Sequence, residues 1–430
     1  MIKEIRLQNW KSFEDATLYI DPLTILIGSN ASGKSNALDA LEFLKRIANG
    51  LDLRTALEGN EVIPPLRGGL EWAALKSKNY FSIAATSELT GLEFKLSEQT
   101  AIDNTYEMFV VTENEPESDK FNWNTTYSID KKYPELSEIS LANKFDLSKL
   151  ELMEHISKKL TNTLSSYKYD NPNYPYMLKV TEDIINDKQK LFDIIGRGFS
   201  RQEYKTIFVY EPMPSKIRSY SRFTQNLLQD ASNLAGFLAA LSEKDKSRVE
   251  ATLPKYLNHL PERDIKKVWA EPVGPLGSDA MLYCEEEWIA GEPQIIDARG
   301  MSDGTLRFLA ILIALLTRPE GSLLVIEEVD NGLHPSRIHL LIQAMQEIGR
   351  ERNIDVLVTT HNPALLDDLE PEMMPFVQVV HRDPKTGASK ITPLDDIEQL
   401  PKLLASGSLG KITTRGNLEE SLEAQALADV

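Results

Sequence analysis

The 430-residue chain contains one cysteine, Cys284. That excludes an internal disulfide and a metal site built from clustered thiolates, and leaves Cys284 as a packed thiol. No apolar run approaches the roughly 18 residues that a membrane-spanning helix needs. The longest, residues 308–316, reads as a buried helix. No secretion signal is visible at the start. Met1-Ile2-Lys3-Glu4-Ile5-Arg6 shows no basic segment followed by an apolar one, so a cytoplasmic protein without membrane attachment is expected. Basic excess is absent too, with 47 Lys and Arg against 65 Asp and Glu and a net charge of −18. This weighs against a broad basic surface for nucleic acid, though not against a local basic groove. Disorder is excluded by composition: 42% hydrophobic and 26% charged residues are the proportions of a folded protein, and the length exceeds one domain.

What is present is organised around Gly28-Ser29-Asn30-Ala31-Ser32-Gly33-Lys34-Ser35, a G-x-x-x-x-G-K-S sequence. The apolar run 23–27 before it reads as a buried strand, and residues 36–44 after it have helical spacing. In that setting the glycines let successive backbone N–H groups converge on phosphate oxygens, and the helix N-terminus adds partial positive charge. Lys34 is expected on the β- and γ-phosphates of ATP, and the Ser35 hydroxyl on Mg²⁺. ATP and Mg²⁺ are therefore the expected cofactors.

Residues 2–8 and 16–20 read as strands joined through Asn9-Trp10-Lys11-Ser12-Phe13. The helix begun in the cradle is expected to end near Asn49-Gly50. Residues 51–78, broken by Pro64-Pro65 and Gly68-Gly69, are expected to be irregular. Residues 80–86, 91–96 and 104–112 read as a strand meander that completes an N-terminal lobe, 1–113. A charged, breaker-containing segment opens an insertion, 114–204, in which Leu147, Leu150, Met153, Ile156, Leu160 and Leu164 recur at helical spacing. Ile184, Ile185, Leu191, Ile194 and Ile195 repeat the pattern, so a helical lid or arm is expected. A C-terminal lobe, 205–400, opens with a strand at 205–210, and residues 401–430 form a tail.

Leu323-Leu324-Val325-Ile326 runs into Glu327-Glu328, as a buried parallel strand delivers carboxylates to the C-terminal edge of a sheet. Glu327 is expected to hold Mg²⁺. Glu328, turned to the other side by strand alternation, is expected to orient and deprotonate the attacking water. A further apolar strand, residues 355–360, ends at His361, placed to hydrogen-bond a γ-phosphate. Upstream, Ser302-Asp303-Gly304 opens the buried helix 306–316 and makes a second anion site at a helix N-terminus. One nucleotide needs one cradle, so Ser302 and Gly304 are expected to bind the nucleotide of a second copy.

These pieces in this order resemble the ATP-binding-cassette (ABC) ATPase heads of the structural-maintenance-of-chromosomes (SMC) and RecF type. More narrowly, they resemble the bacterial predicted-ATPase branch (AAA_21-like) related to overcoming-lysogenization-defect (OLD) proteins. The matching residues are 9–13, 28–35, 302–304, Glu327-Glu328, the loop around Asp330, and His361, which span nearly the whole head. The resemblance implies an α/β fold in which a mixed sheet surrounds the P-loop, with an antiparallel β-subdomain and a helical insertion. It implies nucleotide contacts from Lys11, Ser12 and Asn36 beside those of the cradle, and catalytic roles for Lys34, Glu328 and His361. It also implies two heads closing on two ATP molecules in a homodimer. Asp303 stands where the commoner signature has a second glycine, and Glu327 where an aspartate is usual; both variants suit the predicted-ATPase branch. No Q-loop glutamine is placed.

No nuclease domain of the kind OLD proteins carry is expected in residues 401–430. The expected role is thus control of a separate effector, a nuclease, in a bacterial defence system. The alternative is a RecF-type repair ATPase acting on DNA through Lys3, Arg6, Lys11, Lys205, Lys216, Arg218 and Arg222.

Overall fold

The computed structural model describes residues 1–49, 51, 53–78, 80–87, 91–97, 107–111, 125–128, 202–257, 265–289, 291–367, 369 and 371–428. The strands are β1 (Ile2–Trp10), β2 (Phe13–Tyr19), β3 (Leu23–Ile27), β4 (Tyr80–Ser87), β5 (Gly91–Ser97), β6 (Glu107–Val111), β7 (Thr125–Ser128) and β8 (Phe208–Tyr210). They continue with β9 (Ser221–Arg222), β10 (Ile265–Val273), β11 (Asp279–Ile289), β12 (Glu292–Asp297), β13 (Leu323–Ile326), β14 (Asp355–Thr359), β15 (Val377–Arg382) and β16 (Ser389–Pro393). The helices are α1 (Lys34–Ala48), α2 (Leu53–Glu58), α3 (Gln202–Lys205), α4 (Pro214–Ile217), α5 (Leu234–Ala239) and α6 (Glu243–Leu257). The rest are α7 (Asp303–Thr317), α8 (Pro335–Arg352), α9 (Pro363–Asp367), α10 (Leu400–Ser406), α11 (Leu409–Thr414) and α12 (Asn417–Ala428).

Among the described residues, twelve strands form one mixed sheet in the order β7-β6-β5-β4-β1-β2-β16-β15-β3-β14-β13-β8. Its two limbs follow from two kinds of sequence. β3, β13 and β14 are buried at every position, as strands covered on both faces must be, and they pair in parallel with β8 and β15. β1 alternates between buried and accessible positions and belongs to the antiparallel limb with β2 and β4. One apolar cluster, holding Trp10, Phe43 and Phe81, packs α1 against the antiparallel limb. A larger one surrounds α7, buried from Gly304 to Leu316, between the parallel limb and a second, antiparallel sheet of β9 to β12. The protein is thus a mixed α/β fold. The parallel limb brings the C-terminal ends of β3, β14, β13 and β8 to one edge, where an α/β sheet takes its ligand.

Several expectations change. The stretch 51–78 is not wholly irregular, since α2 lies within it. The strand expected at 205–210 is only β8, preceded by α3. β7 lies inside the insertion expected to be helical and extends the meander by pairing with β6. The helical repeats between 147 and 195 lie outside the described residues. β15 and β16 were not anticipated, yet they join the two limbs. Residues beyond 400, expected only as a tail, pack on the C-terminal lobe: α11 and α12 bury Leu409, Ile412, Leu418 and Leu422 in the larger core cluster.

Candidate active site

The loop between β3 and α1 is shaped as much by what packs behind it as by its own residues. Gly28 has φ +148°, and a Cβ there would stand 2.2 Å from the Val380 carbonyl. Gly33 has φ +123°, and its Cβ would meet Ser389 Oγ at 2.5 Å. Both positions require glycine. The β15–β16 hairpin also braces the loop through side chains. Arg382 donates twice to the Ala31 carbonyl (3.2 and 2.8 Å), and Ser389 Oγ donates to the Ser32 carbonyl (2.5 Å). Lys34 Nζ donates to the carbonyls of Gly28 (2.6 Å) and Ser29 (3.0 Å). Burial lowers its pKa, against the opposing charges of Glu328, Glu327 and Asp330.

Ser12 and Asn36 lie on the flank of the loop. Asn36 Nδ2 donates to Ser12 Oγ at 2.8 Å, and the Ser12 hydroxyl in turn donates to Ser389 Oγ, also at 2.8 Å, since the Ser389 proton goes to the Ser32 carbonyl. Lys11 does not fit its expected role. Its buried ammonium pairs with Asp39 (2.5 Å) and donates to the Arg67 carbonyl (2.7 Å), so it braces the neighbouring loop instead of facing a nucleotide or DNA. Other cations offered as a DNA path are engaged too: Arg6 with Asp15, Lys216 with Asp230, and Arg218 with Asp303.

Across from the loop, Ser35 Oγ donates to Glu327 Oε1 at 2.5 Å. Arg67 meets the same carboxylate with two prongs, Nη1 to Oε1 (3.0 Å) and Nη2 to Oε2 (2.6 Å). Burial alone would raise the Glu327 carboxyl, but the hydrogen bonds from Arg67 and Ser35 overcome it and hold the pKa below its ordinary value. The sequence offered no signal for Arg67 beyond its place before Gly68-Gly69, because partners 260 positions apart leave no periodic trace. Glu211 was also missed. The β8–β13 register, Tyr210 opposite Ile326, sets it beside Glu327, and burial followed by that neighbour's charge raises its carboxyl.

Glu328 departs from the strand reasoning. β13 ends at Ile326, and Glu328 has φ +49°, in the left-handed region, so alternation does not set its direction. Its N–H donates to Thr359 Oγ1 (2.8 Å) and its carbonyl accepts from Arg307 (2.8 Å). His361 is exposed at the same sheet edge, between β14 and α9. Ser302 is the N-cap of α7, its Oγ accepting from the Thr305 N–H (3.1 Å), and it is exposed, as is Asp303. Gly304 is buried, and a Cβ there would stand 3.0 Å from the Gly332 carbonyl. Arg218 clasps this loop through the carbonyls of Ala298 (3.1 Å), Arg299 (3.0 Å) and Met301 (2.7 Å) and the Asp303 carboxylate (2.5 Å).

The residues fit Mg²⁺. Ser35 and Glu327 converge a hydroxyl and a carboxylate, the hard oxygen donors this ion prefers. Among the described residues no group of three or more His, Cys, Asp or Glu forms a cage.

The sequence model of a family described as "AAA domain, putative AbiEii toxin, Type IV TA system" matches residues 23–100 and 285–367, which hold the loop, Ser302, both acids and His361. An "ATP/GTP phosphatase" of Helicobacter pylori (strain ATCC 700392 / 26695) is 20% identical over 382 residues, covering 86% of this chain and 88% of that protein. Two solved structures are similar. One is an SMC head bound to the C-winged helix domain of ScpA, with TM-score 0.48, 11% identity, and coverage of 91% and 97% of the two chains. The other is an SMC head domain from Thermotoga maritima, with TM-score 0.43, 13% identity and coverage of 91% and 98%. The matched family model and the relative, together with the loop and acids described above, support an ATPase. Among the described residues no helix is long and apolar enough to cross a membrane.

Proposed function

We propose that two copies of this ATPase close on ATP, Ser302 and Gly304 of each completing the nucleotide site of the other. Closure then controls a separate effector, a nuclease, in a bacterial defence system of the OLD-related branch in the cytoplasm. The observation that carries this reading is the exposure of Ser302 and Asp303 at the N-terminus of an otherwise buried helix. Such an end offers N–H donors and partial positive charge to an anion, and Arg218 already holds its shape. Two-fold pairing would make two equivalent sites.

In each site the cradle N–H groups and Lys34 hold the phosphates, and Ser35 and Glu327 hold the metal. Glu328 takes the proton of the attacking water, and His361 hydrogen-bonds the γ-phosphate. Bound Mg²⁺ supplies charge neutralisation at the phosphates. Arg67 must leave the Glu327 carboxylate for these contacts to form. Loss of the γ-phosphate removes what both copies share and opens the pair. Asp303 and Glu327 at their positions, and the words "toxin" and "TA system" in the family's description, support an effector-linked role.

Glu328→Gln is expected to lower ATP turnover by roughly 10²–10⁴-fold, the range for a positioned general base, and to trap a dimer that sediments at twice the monomer mass only with ATP. Adding Ser302→Arg should return that species to monomer while ATP still binds. Unchanged turnover, or a mass indifferent to ATP, refutes the reading.

A further inference from the structure

Arg307 is a buried cation that the chemistry above leaves unused. It lies in the second turn of α7, 5% exposed. A guanidinium keeps its charge at any ordinary pH, so its burial there demands acceptors. The acceptors are informative. Nη1 donates to the Pro212 carbonyl (3.0 Å), while Nη2 donates to the carbonyls of Glu327 (3.0 Å) and Glu328 (2.8 Å). The cation therefore grips the main chain of the two acids and makes no hydrogen bond to their carboxylates, of which Glu327's is met by Ser35 and Arg67 and Glu328's by Asn331 Nδ2 (3.5 Å).

Glu328 needs such a grip. At φ +49° it occupies a backbone region that a residue with a Cβ keeps only where its surroundings impose it. From the other side its N–H donates to Thr359 Oγ1 (2.8 Å), and Thr359 is 1% exposed. Both peptides flanking the Glu328 Cα are thus held from two sides: the one before it by Arg307 at the Glu327 carbonyl and by Thr359 Oγ1 at the Glu328 N–H, the one after it by Arg307 at the Glu328 carbonyl and by the Thr359 carbonyl at the Val329 N–H (3.0 Å). We infer that Arg307, with Thr359 opposite, is a positioning residue that imposes the left-handed backbone at Glu328 and so aims its carboxylate at the attacking water. This rests on the reading of Glu328 as the base. The tether hangs from the helix whose N-cap is Ser302.

The test sets Arg307→Lys, Arg307→Gln and the isosteric Thr359→Val against wild type, each alone and combined with Glu328→Gln. The readouts are kcat, KM, equilibrium binding of a fluorescent ATP analogue, and thermal unfolding. Arg307→Gln should lower kcat by roughly 10²-fold, as misplaced catalytic groups do, with Arg307→Lys recovering part of the loss and Thr359→Val following the same direction. Affinity for the analogue should stay within about twofold of wild type. In the Glu328→Gln background the same substitutions should change the residual rate by no more than about twofold, because groups acting as one unit are not additive. Should Arg307→Gln fail to fold, the lysine and valine variants carry the test. If losses multiply in the Glu328→Gln background, or if affinity falls in step with kcat, Arg307 is structural and the inference is overturned. If Glu328→Gln alone leaves turnover intact, the assignment of the base falls first and this inference with it.

Discussion

Lys11 and Asp39 show how closely the loop after α2 is bound to the site. Their charged groups are 2.5 Å apart, with side chains only 5% and 6% exposed, and the same ammonium donates to the Arg67 carbonyl. Burial pulls the Lys11 pKa down, and Asp39 resists that shift. Breaking such a pair strands a charge in a medium that solvates it poorly. Asp39→Asn is therefore expected to destabilise the fold by about 3–5 kcal/mol, read from urea unfolding midpoints. A loss below about 1 kcal/mol would mean that the pair behaves as a surface bridge. Because the Arg67 backbone is held by Lys11, this variant should also weaken the two-pronged Arg67 contact with Glu327.

Among elements, the β15–β16 hairpin has a reach that its length does not suggest. It supplies the Val380 carbonyl behind Gly28, the Ser389 hydroxyl behind Gly33 and the Arg382 contacts to Ala31. Its turn is closed by Asp383, which pairs with Lys390 (2.6 Å) and accepts from the N–H groups of Thr386 (2.9 Å) and Lys385 (2.8 Å). These contacts, the Lys390 hydrogen bond foremost, hold the carboxyl well below its ordinary range. A carboxyl with a depressed folded pKa binds its proton more weakly folded than unfolded. Its contribution is therefore complete above the ordinary carboxyl pKa, near 4, and fades as pH falls below it. Asp383→Asn should cost about 1 kcal/mol at neutral pH, and the gap from wild type should narrow steadily below about pH 4 in thermal scans. A gap independent of pH would show that the turn does not depend on the charge.

For the whole molecule, the segment beyond residue 400 closes the C-terminal lobe. Gly410 in α11 lies so near α9 that a Cβ would stand 2.0 Å from the Pro363 carbonyl, and its N–H donates to Asp367 (2.6 Å). Leu409, Ile412, Leu418 and Leu422 are at most 3% exposed. Each such side chain contributes about 1.5–3 kcal/mol by leaving water, so together they rival the whole stability of a domain, about 5–15 kcal/mol. A chain ending at residue 399 should lose cooperative thermal unfolding and become sensitive to limited proteolysis. An unchanged melting transition would contradict this account.

The sequence by itself determined the parts of this protein that are local or periodic. The strand run before the loop, the glycine and lysine spacing of residues 28–35, the strand entering Glu327-Glu328 and the apolar helix after Ser302 all rest on near neighbours, and a near neighbour leaves a pattern. The tertiary structure decided what depends on distant contacts. Arg67 on Glu327, Ser389 behind Gly33 and Arg307 on the carbonyls of both acids join residues with no common period, and no propensity encodes such a meeting. It also decided the posture of Glu328. Strand alternation ends with the last ladder residue, and beyond it the backbone goes where Thr359 and Arg307 hold it.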